Sequence, residues 1–522
     1  MTGRFCFRLL NVERPLQGAT DWDNPSIEAL WRYHLHYFDD LNAEGAEQRV
    51  GWHRELLQRW LEENPPGEGI GWDPYPTSLR IGNWVKWGLR GLRSGNERET
   101  GEATELGSDP ANTEVGNGGA PAKSNAIIPG DMQDSLAVQA RWLRRRLEHH
   151  LLGNHLLANA KALIFAGCFF EGGEADRWRR RGEQLLRREL EEQILPDGGH
   201  FERSPMYHAI VLEDLLDLIN LAHAYPGIID AELLEGIKAR LPAMLEFLAG
   251  ACHPDGEIAF FNDAAMGMAP MPAKIFDYAR RLGIEWTESS DPIRYWPDNG
   301  LVRLETNDAV LLMDVGPIGP DYLPGHAHAD SLSLELSLFG QRVLGNSGTS
   351  VYGKGPQRHA ERSTAAHNTV EINGENSSEV WGGFRVARRA RVHDVEVGET
   401  AGGELFVEAW HDGYTRLPGQ PVHHRRVVLG SHRLLITDRV TGRYERAVGY
   451  FHLHPAIELD SGTDRHATLW VAGQAVVQEA TPSGSTSVMS DHWHPEFCVS
   501  QRSSSFRLGF DATGRATFSL AW

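Results

Sequence analysis

The chain has 522 residues, 41% of them apolar and 23% charged, with a formal net charge of −20. That length exceeds one ordinary core and predicts two or three domains of a soluble globular protein. The acidic balance excludes general nucleic-acid binding, and no apolar run approaches the ~18 residues of a membrane span. The cysteines, Cys6, Cys168, Cys252 and Cys498, have neither disulfide-type nor metal-type spacing.

The N-terminal stretch MTGRFCFRLLNVERP has no apolar h-region, so no export signal is read there. Residues 1–290 then read as successive amphipathic helices. SIEALWRYHLHYFDDL, HRELLQRWLEE, LAVQARWLRRRLEHHLLGNHLLANAKALIFAG, WRRRGEQLLRRELEEQIL and AIVLEDLLDLINLAHAY carry apolar residues at helical spacing. Helices in series with no strand between them predict helix-on-helix layers, as in a toroid or solenoid. Residues 98–128 have no periodicity, are rich in Gly, Ala, Asn, Glu and Ser, and read as a flexible surface loop. From 291 to 522 the texture changes to short β-rich runs, among them LVRLETNDAVLLMDV, RRVVLGSHRLLITDRV and ATLWVAGQAVVQE. These predict an antiparallel, sandwich-like domain.

Several clusters carry chemistry. GWDPYPTSLRIGNWVKW holds Trp72, Tyr75, Arg80, Asn83 and Trp84. GNHLLAN places Asn154 and His155 on a helix, and DGGHFERSPMYH holds Glu202, Tyr207 and His208. RSTAAHNTVEING holds Arg362, His367 and Asn368. In LPGHAHADSLSLEL, alternation puts His326, His328 and Asp330 on one side with Leu332, Leu334 and Leu336. Polar groups on a face that buries leucine need partners. Each cluster also has a structural reading: helical Asn and His are usually solvated or locally bonded, a Tyr after Ser-Pro is commonly a helix-start residue, and Trp84 reads as core. Other enzyme signatures are missing: no phosphate loop, no GxSxG, no HExxH, and no carboxylate pair suited to glycoside hydrolysis.

In order along the chain, WRYHLHYFDDL, YPTSLRIGNWVKW, GNHLLANAKAL, LPDGGHFERSPMYH, GHAHADSLSLEL and RSTAAHNTVEING resemble the heparinase II/III family of polysaccharide lyases, which is itself similar to several alginate lyases. The resemblance implies an incomplete α/α toroid followed by an antiparallel β-sandwich. It also implies β-elimination on a uronic-acid-containing polysaccharide, giving 4,5-unsaturated uronate products. The substrate class it favours is the glycosaminoglycans: hyaluronan, chondroitin sulfate and heparan sulfate. The alternatives are an alginate or other polyuronate lyase, a toroid hydrolase needing two acids, and a catalytically silent acidic-glycan-binding protein. By motif position, Asn154 and His155 would bind the uronate carboxylate, Tyr207 would shuttle the proton, and His326 would complete the catalytic set. Tyr75, Arg80, Asn83, Trp84, Glu202 and Arg362 would contact substrate. In relatives a divalent metal, usually zinc, is held structurally; here its positions would be His328, Asn346 and His367, around zinc or a harder ion such as manganese, or else a metal-free pocket in which Asn346 hydrogen-bonds the histidines. Asn346 stands where the family has Asp, a better ligand. The resemblance points to the periplasm or cell exterior, against the missing export signal. No nucleic-acid or membrane partner is expected, and no oligomeric state is legible.

Overall fold

The computed structural model describes residues 1–101, 128–463, 466–480 and 486–522. Most of the segment read as a flexible loop, 98–128, lies outside them. The chain divides into two compact units: Met1–Arg187 with Ala224–Asp230, and Arg188–His223 with Ala231–Trp522.

The first unit is helical after a short hairpin, Cys6–Leu9 paired with Val12–Pro15. Its helices include Ala29–Tyr37, Val50–Glu63, Pro74–Gly101, Gly130–Arg144 and Gly153–Phe169. Their core is unusually aromatic. Trp22, Trp60, Trp72 and Trp84 are buried, and Phe38 stands edge-on to Trp60 and Trp84. The Arg80 guanidinium lies over Trp60 at 4.2 Å, fully buried, and its N–H groups donate to Gln139 Oε1, Gly71 O and His36 O. Such a cation is tolerated because every face has an acceptor or a π-surface; burial pushes it down to about 9.

In the second unit the helix Pro205–Ala224 starts where the sequence signals it. Ser204 Oγ accepts the Tyr207 N–H at 3.2 Å, and Pro205 occupies the first turn, where an N–H is dispensable. Helices Ala231–Gly250 and Pro272–Arg281 follow, and strands begin at Ile293. Ile293–Trp296, Leu301–Glu305, Ala309–Asp314, Leu334–Leu338 and Gln341–Leu344 form a five-stranded antiparallel meander. Eight-stranded and four-stranded antiparallel sheets and a two-stranded ribbon, Val380–Trp381 with Arg385–Val386, complete the region. One apolar core joins them: Leu311, Met313, Leu334 and Leu336 meet Val407, Val427, Ile436, Leu469 and Phe518, with Phe451 and Phe506. The fold is therefore the expected one, helices followed by an antiparallel β-sandwich. Among the described residues no helix is long and apolar enough to cross a membrane.

The strand predicted from GHAHADSLSLEL is shorter than the alternation suggested. It runs only from Leu334 to Leu338, because Leu332 takes a left-handed φ of 61° and Ser333 N–H turns back to Asp330 O. Glu335 and Ser337, on the face opposite the leucines, are buried too. Glu335 Oε2 takes the His253 Nε2 contact at 2.8 Å and Ser337 Oγ the His253 Nδ1 contact at 2.7 Å.

Candidate active site

In the second unit the site is organised by one buried carboxylate. Asp263 lies in the apolar run AFFNDAAM. Its Oδ2 accepts from His326 Nδ1 and its Oδ1 from His328 Nε2, each at 2.8 Å, and Arg358 closes on both oxygens through its two terminal nitrogens. Burial alone would push the Asp263 carboxyl up. The Arg358 charge and the hydrogen bonds from His326 and His328 outweigh it and hold the group well below the usual carboxylate range. His326 and His328 thus do share a side, as their spacing predicted, although through a loop rather than a strand.

Because Nδ1–H of His326 is committed to Asp263, Nε2 is the ring atom left for substrate. It stands 3.5 Å from Glu202 Oε2. The His326 ring lies against Tyr207, centroids 3.9 Å apart. Tyr207 Oη in turn is 2.8 Å from Tyr352 Oη. Burial, reinforced by the Asp263 charge, pushes the Tyr352 hydroxyl well above its ordinary value. Tyr352 therefore keeps its proton and is suited to donate to Tyr207 when Tyr207 gives up its own.

The two remaining histidines pose a tautomer problem. His367 Nδ1 faces Ser363 O at 2.7 Å and must donate to it, so its Nε2 carries a lone pair. His328 donates Nε2–H to Asp263, so when neutral its Nδ1 also carries a lone pair. Those two nitrogens face one another at 3.0 Å, and burial pushes both rings down to about 4. A second His–His–Asp–Arg set in the sandwich resolves the same contact differently. There Gly413 N–H donates to His411 Nδ1, so His411 Nε2–H can donate to His423 Nδ1, and His423 Nε2–H to Asp438. Only the first pair turns two lone pairs inward, with outer N–H groups on a carboxylate and a carbonyl, as metal-ligating histidines do. Asn346 does not join it. Its Oδ1 accepts Asn368 N–H and its Nδ2 donates to Phe260 O, each at 3.0 Å. Among the described residues no three His, Cys, Asp or Glu side chains are grouped to hold a metal ion. The structure thus brings His328 and His367 together and turns Asn346 to other partners, and no chemical step below depends on a metal.

Three proposed substrate contacts are corrected by burial. Arg80 and Trp84 are fully enclosed in the aromatic core, and Arg362 is 1% exposed, its guanidinium spent on Ala327 O. Asn83 donates to Tyr37 O and Asp39 Oδ1, which fixes it as a helix-to-loop tie. Tyr75, His155 and Asn154 lie in the first unit. The His155 ring packs on Tyr75 at 4.4 Å and its Nδ1–H donates to Glu148 Oε1, while Asn154 is 5% exposed. Glu148 is itself held by Asn159 Nδ2 at 2.8 Å. Sequence reasoning missed Asp263, Tyr352, Arg358 and Glu148. The signal for Asp263 was an Asn-Asp pair inside an apolar run. Tyr352, beside the glycines of YGKGP, carried no local signal.

Helices through Arg281 followed by antiparallel sheets place the chain in the toroid-and-sandwich class, and the crystal structure of heparinase III shares this fold. It superposes with a TM-score of 0.71 at 17% identity, over 95% of this chain and 77% of that one. The chain belongs to the heparinase II/III-like family: residues 132–282 match the model for the heparinase II/III N-terminus, and residues 289–520 that for the heparinase II/III-like C-terminal region. A heparin-sulfate lyase of Bacteroides stercoris is 28% identical over 250 residues, 43% of this chain and 36% of that protein. FtsZ-localized protein C of Caulobacter vibrioides is 26% identical over 399 residues, 69% of this chain and 65% of that protein. The chain spans less than two thirds of the length of the curated relatives it matches, from 65% down to 10%.

Proposed function

We propose that the chain is a polysaccharide lyase that cleaves a uronic-acid-containing anionic polysaccharide, a glycosaminoglycan first, by β-elimination. The observation that carries this reading is the Tyr207–Tyr352 hydroxyl pair beside the His326 ring, with His326 fixed in tautomer by buried Asp263. The acidic proton at C5 lies α to a carboxylate. Tyr207 as phenolate, or His326 through Nε2, removes it; the electron pair forms the C4–C5 double bond, and the C4–oxygen bond breaks. The leaving oxygen takes its proton from a tyrosine hydroxyl. Tyr352 donates to the Tyr207 phenolate and so stabilises the charge that builds there. Asn154 and His155 are assigned to the uronate carboxylate by motif, supported by the anchoring of His155 on Glu148. The family relationship and the heparin-sulfate lyase named above support the substrate class. A cation between His328 Nδ1 and His367 Nε2, structural in role, belongs to the same proposal.

A screen against hyaluronan, chondroitin sulfates, heparan sulfate, heparin and alginate tests the reading. The expected result is ultraviolet absorbance from a conjugated unsaturated uronate, with one of the sulfated or hyaluronan polymers. Absorbance with alginate alone moves the substrate to polyuronates. New reducing ends without absorbance mean hydrolysis and overturn the mechanism. Binding without any cleavage leaves a glycan-binding protein.

A further inference from the structure

A ribbon next to the tyrosine pair has no role in the chemistry above. Val380–Trp381 pairs antiparallel with Arg385–Val386, and Trp381 stands directly opposite Arg385. Alternation splits its faces. Val380 and Val386 are buried with Ile318, Ala327 and Ala329, beneath the segment that carries His326 and His328. On the other face Trp381 is 54% exposed, and Phe384, in the turn, is 39% exposed. The turn is glycine for a steric reason: a Cβ on Gly383, at φ +81°, would meet Gly353 O at 2.1 Å, so the ribbon closes directly on the loop bearing Tyr352. Arg358 locks that closure, since its Nε donates to Gly383 O at 3.1 Å while its terminal nitrogens hold Asp263. The Phe384 ring then lies 5.2 Å from Tyr352 and 6.2 Å from His326, centroid to centroid.

The charges on this ribbon are unequal in availability. Arg388 is held by both oxygens of Glu379, and Arg389 by Asp321. Arg385 is exposed, stacks over Trp381 at 5.6 Å, and among the described residues has no carboxylate within ion-pair distance. Two exposed aromatic rings and an available guanidinium, registered rigidly beside a proton-transfer pair, suit one ligand chemistry. The apolar C–H face of a pyranose ring packs on an aromatic face, and a carboxylate or sulfate on that sugar meets the guanidinium.

We propose that the 380–386 ribbon is a saccharide subsite for the unit neighbouring the reacting uronate, with Trp381 and Phe384 as stacking surface and Arg385 reading an anionic substituent. This rests on the lyase reading. The test is steady-state kinetics of Trp381→Ala and Arg385→Gln on the polymer that the parent cleaves best, with melting temperatures measured alongside. Both side chains are exposed, so unchanged melting is expected. KM should rise about tenfold in each variant, with kcat within about twofold. Added salt should raise the parent's KM toward that of Arg385→Gln, because the lost contact is charged. Parent-like KM in both variants overturns the subsite and leaves the lyase reading standing. A fall in kcat at constant KM also overturns it, because the ribbon would then only position Tyr352. A parent that neither cleaves nor binds any acidic polymer removes the reading and the subsite together.

Discussion

Tyr207 can be tested by deleting one oxygen. Tyr207→Phe keeps the ring that packs on His326 and is expected to lower kcat by ~10²–10⁴ with melting almost unchanged. A near-parental rate would reduce Tyr207 to a packing residue. At this scale the sequence was informative wherever a motif was contiguous. Tyr207, His326 and Glu202 do meet, and the i, i+2 spacing of the histidines does put both on one carboxylate. It was misleading for Arg80, Trp84 and Arg362. A cation or an indole in a motif reads as a ligand contact, but burial is decided by helices packed around it from elsewhere in the chain. Asp263 was illegible for a related reason. Its partners, His326, His328 and Arg358, are 63, 65 and 95 residues away, so nothing local announces them.

At the scale of elements, the helix-to-strand change was legible because its signal is periodicity, which is local. The extent of Leu334–Leu338 was not, because left-handed Leu332 breaks an alternation that continues in the letters. The loop carrying Asn346 shows what such connections do. Asn346 N–H donates to Glu335 Oε1, and its amide ties Phe260 O to Asn368 N–H, so it bridges strand ends rather than the histidines. Asn346→Asp therefore should not build a better metal site. It sets a carboxylate against the Phe260 carbonyl in a buried position, and a loss of ~1–3 kcal/mol is expected. Thermal melting and elemental analysis of tag-free protein check this. A raised metal content with raised melting temperature would restore the three-ligand site.

For the whole molecule, acid should be destabilising well before carboxylates titrate. Burial pushes His34 and His208 down to about 4, and burial with the Arg80 charge pushes His36 down to about 3. These rings are neutral when folded and titrate near 6.5 when unfolded. Above 6.5 neither state is charged and the stability is fully present. Between about 6.5 and 4 the unfolded chain binds protons that the folded one refuses, so stability falls with pH. Melting temperatures across pH 8 to 4.5 should hold roughly level above 6.5 and then decline; a flat profile would mean that the three rings take up protons in place. The acidic total charge, −20, sets only the distant field. Within a Debye length of ~8 Å a cation such as Arg385 governs what a polyanion meets. The division into units has a further consequence, for synthesis. The chain passes from the first unit to the second after Arg187, back at Ala224, and on again at Ala231, so the two cannot form one after the other like beads. The Pro205–Ala224 helix emerges from the ribosome with Leu212, Leu215, Leu216 and Ile219 needing cover. Tyr207 waits a further 145 residues for Tyr352, on the order of 10 s at ordinary elongation rates. During that interval the nascent chain is an aggregation hazard, and a fragment ended near residue 290 would remain one, with Tyr207 made and its partner Tyr352 never synthesised.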